Sequence, residues 1–168
     1  MKLEPIISLP SAWSSVFAHF VVHLFEGHLS VPDMERMHAR AERWKTAHPG
    51  RRVELVVIFP SDAQMSHDER VRMARLIKHG EAQRAASATV ILAQGLLASV
   101  QRSVLTGMTM IAPPPHPAKV FGKLADALHW LAPQTQSVCD ARLTPEGLTE
   151  LVEANIAAFH ARTPARTG

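Results

Sequence analysis

Apolar positions along the chain form short dense runs that alternate with stripes at helical spacing, and this predicts strands alternating with helices. Residues 16–26 (VFAHFVVHLFE) are rich in β-branched and aromatic side chains and close at Gly27, as a strand should. Residues 5–9 (PIISL) are expected to form a short edge strand joined to it through residues 10–15. Ser30 is placed to cap a helix with Pro32 and Asp33 in its first turn. Met34, Met37, Ala41 and Trp44 then recur at spacings that lay one apolar stripe along it. His48-Pro49-Gly50 ends the helix, because proline cannot continue it and glycine accepts left-handed geometry.

The same alternation continues. Residues 53–59 (VELVVIF) read as a strand buried on both faces. Ser66 with Glu69 forms a capping box that opens a helix to about residue 85, burying Met73, Leu76, Ile77 and Gly80. Residues 88–93 are expected as a third strand, followed by a helix carrying Leu96, Leu97, Val100 and Val104. Gly107 breaks that helix, and residues 108–112 make a fourth strand. Pro113-Pro114-Pro115-His116-Pro117 is a stiff extended linker, since each proline constrains itself and the residue before it. Residues 118–131 are expected as an amphipathic helix with Val120, Phe121, Leu124, Leu128 and Leu131 inward. Thr144, with Pro145 behind it, caps a last helix reaching residue 162, and residues 163–168 are expected to fray.

This order predicts an α/β fold with a single mixed, mostly parallel β-sheet covered by helices. Residues 1–132 form the α/β unit. Residues 133–168 add a linker, an accessory C-terminal helix and a tail to the same domain.

Composition supports a folded chain: of 168 residues, 46% are hydrophobic and 20% charged. The single cysteine, Cys139, cannot form an internal disulfide, which favours a reducing compartment. The opening Met-Lys-Leu-Glu-Pro places an acid and a proline where a signal peptide needs an apolar stretch. No apolar run reaches the ~20 residues of a membrane span. A cytoplasmic protein without membrane insertion is expected. The net charge of +3 is mild, and Arg36, Arg40 and Arg43 share a helix face with Asp33, Glu35 and Glu42 among them. That mixture predicts a solvated, salt-bridged face. With no tyrosine and no basic stretch interleaved with aromatics, nucleic acid is not an expected partner.

Ten histidines raise the question of a metal. His19 and His23 on one strand would stand about 13 Å apart, too far to share an ion. No HExxH or CxxC pattern occurs, and GxGxxG, GxxxxGK[ST] and GxSxG are also absent. The expectation is no enzyme, no cofactor and no metal. A scattered catalytic site around His19, His23 or His67 is the weaker alternative. Ser61 and Ser66 follow a strand where a phosphorylated hydroxyl would add charge at a helix start, although a turn residue and a cap explain them as well. Arg102, Ser103 and Thr106, with His116 in the adjoining linker, are further candidates for a polar contact or ligand pocket.

The stretch ATVILAQGLLASVQRSVLTGMTMIAPPPHPAKVFGKLADALHWL resembles a STAS/SEC14-like (SpoIIAA-like) group that includes uncharacterised myxobacterial proteins. The resemblance is carried by Arg102-Ser103-Val104 with Gly107, by residues 113–117, by Lys119-Val120-Phe121 and by residues 127–131. The Asp-x-Ser-Gly pattern around the phosphorylated serine of sporulation antagonists is replaced here by PSDAQMS. The resemblance implies a STAS-like sheet and a non-catalytic regulatory or scaffolding role through a protein partner or a homodimer. SEC14-like kinship also implies an alternative, a small apolar ligand held near Val100, Val104 and Phe121.

Overall fold

The computed structural model describes residues 2–61, 66, 68–69, 71–73, 75, 83–93, 114–139 and 143–162. Within them the chain begins as a three-stranded antiparallel meander: β1 (Glu4–Leu9), β2 (Ala12–Phe17) and β3 (Phe20–Phe25). The expected single strand over residues 16–26 is therefore two strands folded on each other. Ala18 and His19 make the turn, with Ala18 at φ +50°, a conformation usually left to glycine or asparagine. The turn lacks the residue types that advertise one, so the apolar run on both sides reads as continuous.

Helix α1 (Val31–Ala47) is capped by Ser30, whose hydroxyl accepts from the Asp33 amide at 3.3 Å. β4 (Arg52–Ile58) and β5 (Arg84–Ile91) then extend the sheet in parallel with β3. β5 starts at Arg84 and not at residue 88, so the helix expected to reach residue 85 ends before it. Helical residues are described at 68, 69, 71–73 and 75. The expected helix carrying Val100 and Val104 and the expected strand at 108–112 lie outside the described residues.

Residues 118–131 are not one helix. β6 (Ala118–Phe121) pairs in parallel with β5, and α2 (Leu124–Thr135) follows after Gly122 and Lys123. Val120 and Phe121 fit a pleated surface as well as a helix, and the ladder to Thr89 and Val90 decides between them. Pro133 sits near the end of α2, where its missing N–H costs a single bond. α3 (Pro145–Arg162) starts as expected, with Thr144 Oγ1 accepting from the Gly147 amide at 3.1 Å.

Among the described residues six strands lie in chain order, β1-β2-β3-β4-β5-β6, antiparallel up to β3 and parallel beyond it. One face carries Trp13, Phe20, Val22, Leu24, Val53, Leu55, Val57, Ala88 and Val90 into the main core. There they meet Leu128 and Leu131 of α2 and Leu148, Val152 and Phe159 of α3. Each large side chain buried here contributes about 1.5–3 kcal/mol. The opposite face packs Ile7, Leu9, Ala12 and Phe25 against Met34, Met37 and Ala41 of α1. The C-terminal helix thus docks on its own sheet: Phe59 stacks on Phe159 at 5.9 Å, and Arg162 lies 3.7 Å from the Trp13 ring.

Candidate functional site

The sheet face that carries α1 is apolar toward Phe25 and Leu9 but polar at the opposite end of β4 and β5. Strand alternation puts Arg52 and Glu54 on this one side, two residues apart. Arg84 faces Arg52 across the β4–β5 ladder, beside a register shift. Glu54 accepts from Arg52 Nε at 2.7 Å and from Arg84 Nε at 2.5 Å, one guanidinium on each carboxylate oxygen. Arg52 donates a further bond to Gln83 Oε1 at 2.8 Å. Both Arg52 and Glu54 are buried. Burial by itself would raise the Glu54 carboxyl, but the charges of Arg84 and Arg52 outweigh it and hold the pKa down at about 2.

Two hydroxyl–imidazole pairs flank this charged centre. Ser14 Oγ lies 2.7 Å from His23 Nδ1 across the β2–β3 ladder. Burial pushes the His23 pKa below its ordinary value against the pull of Glu54, so the ring is neutral at physiological pH. On the other side Ser87, in register with Glu54, pairs through Oγ with His116 Nε2 at 3.0 Å, and its amide donates to Pro117 O at 2.9 Å. The proline-rich stretch around His116 is therefore bonded to β5, and His116 is itself buried.

The chemistry open to this cluster is narrow. Ser14 is fully buried, so its hydroxyl is not presented to a substrate. Glu54 is clamped by two guanidiniums and is a poor proton acceptor at neutral pH. His19 and His23, expected on one side of one strand, are separated: His19 sits in the β2–β3 turn with its ring against Gly50. Among the described residues, no group of three or more His, Cys, Asp or Glu is arranged to hold a metal ion.

The other candidates are not gathered here. Ser66 and Glu69 form the expected reciprocal cap: the Ser66 amide donates to Glu69 Oε2 at 2.7 Å and the Glu69 amide to Ser66 Oγ at 3.3 Å. Those bonds to Ser66 hold the Glu69 carboxyl below its usual range. Ser61 is half-buried past the end of β4. His67, Arg102, Ser103 and Thr106 lie outside the described residues, as do Val100 and Val104 of the expected ligand site. Phe121 packs on Trp130 at 5.8 Å, with Lys119 over its ring. On the outer surface an open groove of about 390 Å³ separates Val31 and Glu35 from Asp68, Val71, Arg72 and Arg75. Arg72 and Glu35 bridge it at 2.8 Å.

The Arg52–Glu54–Arg84 centre is the feature sequence reasoning misses. A signal for it exists: Arg52 and Glu54 are the charged positions of an otherwise apolar strand and share its period-two face. Arg84 carries no such signal while it is read as the end of a helix.

No protein-family model matches the chain, and no curated protein matches it. Among solved structures it is similar to an uncharacterised protein of the DUF3478 family with a SpoIIAA-like fold from Shewanella loihica PV-4. The likeness has a TM-score of 0.51 at 23% identity and covers 67% of this chain and 83% of that one. No described helix is long and apolar enough to cross a membrane. Its mixed sheet, helical cover and this structural neighbour give the chain a SpoIIAA-like fold.

Proposed function

We propose that the chain is a non-catalytic regulatory or scaffolding domain that acts by binding another protein or a second copy of itself. The observation that carries this reading is the mutual pairing of the polar side chains around Glu54. Glu54 is held by Arg52 and Arg84, Ser14 pairs with His23, and Ser87 pairs with His116. A catalytic centre needs groups aimed at an incoming substrate, whereas these are aimed at one another and tie adjacent strands together. The groove between α1 and residues 68–75 is open and lined by both charge signs, which suits a surface contact more than an enclosed ligand.

Light scattering on the full chain, joined with affinity capture from extracts of its own cells, tests the proposal. The expected result is a dimer or a reproducibly retained protein. A monomer that retains no protein contradicts it.

A further inference from the structure

We infer that the outer face of α1, through Arg40 and Arg43, is a docking surface for an acidic segment of a partner protein. This rests on the protein-binding reading above and names the surface and the partner chemistry. α1 carries three acidic residues, and each is already engaged with a different base. Asp33 bonds Ser30 and Arg36, Glu35 bonds Arg72 at 2.8 Å, and Glu42 bonds Lys45 at 2.6 Å. Arg40 and Arg43 make no ion pair among the described residues, and both are exposed. The mixed composition of the helix therefore does not neutralise its outer face.

The geometry of this face is simple. Positions 36, 40, 43 and 47 fall on one stripe of a helix, with Arg43 opposite Met34 and Ala41, which face the sheet, and Arg40 on the flank beside Met37. Arg40 and Arg43 are about 4.5 Å apart along the axis. Like charges one turn apart weaken a helix on its own, so the arrangement gains from an anionic partner. A guanidinium pairs two parallel N–H groups with a carboxylate, and two guanidiniums one turn apart match acids one turn apart on a facing helix.

The surroundings favour protein carboxylates over other anions. Ala47 on the stripe and Ala39 beside it are small and exposed, and Trp44 stacks on His48 at 4.9 Å. Trp44 is half-buried and is the one aromatic beside the arginines, so the stripe offers two guanidiniums and small side chains where nucleic-acid sites repeat aromatics and lipid-facing helices present an apolar face. Among the described residues the exposed large hydrophobic is Val71, in the groove beyond Glu35.

The test uses the full chain and a fluorescent helical peptide of glutamate and alanine, with a glutamine–alanine peptide as control. Anisotropy should show binding of the acidic peptide alone, weakening with salt. The variant R40Q/R43Q should bind about tenfold more weakly with unchanged circular dichroism, while R36Q, whose arginine is already paired with Asp33, should change little. Equal binding by R40Q/R43Q overturns the proposal, as does tighter binding of single-stranded DNA or phosphatidylserine vesicles than of the peptide. Affinity capture separates the two readings. If R40Q/R43Q retains the same proteins as the unaltered chain, this face fails and protein binding stands. If the unaltered chain is monomeric and retains no protein, both fail.

Discussion

The indole of Trp13 on β2 donates its Nε1–H to Asn155 Oδ1 on α3 at 3.0 Å, joining positions 142 residues apart inside the main core. Arg162 covers the same ring from the end of α3 and also donates to Ser8 on β1. The accessory helix is thereby fastened to the antiparallel edge of its own sheet. Asn155→Ala leaves the buried indole N–H without its acceptor and should lower stability by about 1–3 kcal/mol. Arg162→Ala removes an exposed cation–π contact and should cost about 0.5–1 kcal/mol. Urea unfolding of the two variants orders them, and equal losses would argue against the buried bond as the main fastening.

Glu54 is the centre of the polar half of the sheet. Glu54→Gln keeps the shape but removes the charge shared by Arg52 and Arg84, and should destabilise the fold by about 3–5 kcal/mol. Replacing all three residues with apolar ones, as R52M/E54L/R84M, removes the desolvated charges together and should be neutral or stabilising. Thermal melts of the two variants test a structural role for the cluster. A triple variant less stable than Glu54→Gln would contradict it.

Acid should destabilise the protein in two steps of the same sign. His23 has a folded pKa below its ordinary 6.5, so its contribution is present above 6.5 and is lost as pH falls below that value. Glu54 is depressed from 4.5 to about 2, so its contribution is present above 4.5 and is lost between 4.5 and about 2. His23→Gln, which keeps a partner for Ser14, should abolish the first step and leave the second. Unfolding free energies from neutral pH down to about pH 5 read the first step directly.

Gly50 adopts φ +134°, and a Cβ added there would lie 3.0 Å from His19 Cε1. Gly50→Ala therefore combines backbone strain with a side-chain collision and should cost about 1–3 kcal/mol. Adding His19→Ala relieves the collision and leaves the strain, so the double variant should recover part of the loss. Recovery of all of it, measured by thermal melts, would place the whole cost in the contact.

The helices with strong start signals were legible in the sequence. Ser30, Ser66 and Thr144 each cap where their spacing predicts, because a cap is a local bond between near neighbours. The strands were legible in kind but not in extent. The β2–β3 turn uses Ala18 and His19, which carry no turn signature, and the β6 segment has side chains that suit either period. In both places the ladder decides, and a ladder partner is distant in sequence. The same distance hid the polar centre. Arg52 and Glu54 lie two apart and could be read together, whereas Arg84 joins them only when β5 pairs with β4.

Under the proposed function the buried polar cluster serves structure and the outer face of α1 serves binding. Hydrogen exchange of the full chain, free and bound to its captured partner or self-associated, tests that division most directly. Added protection should concentrate in Val31–Ala47 and leave β5 and residues 114–123 unchanged. Protection centred on β5 and residues 114–123, with α1 unaffected, would contradict it.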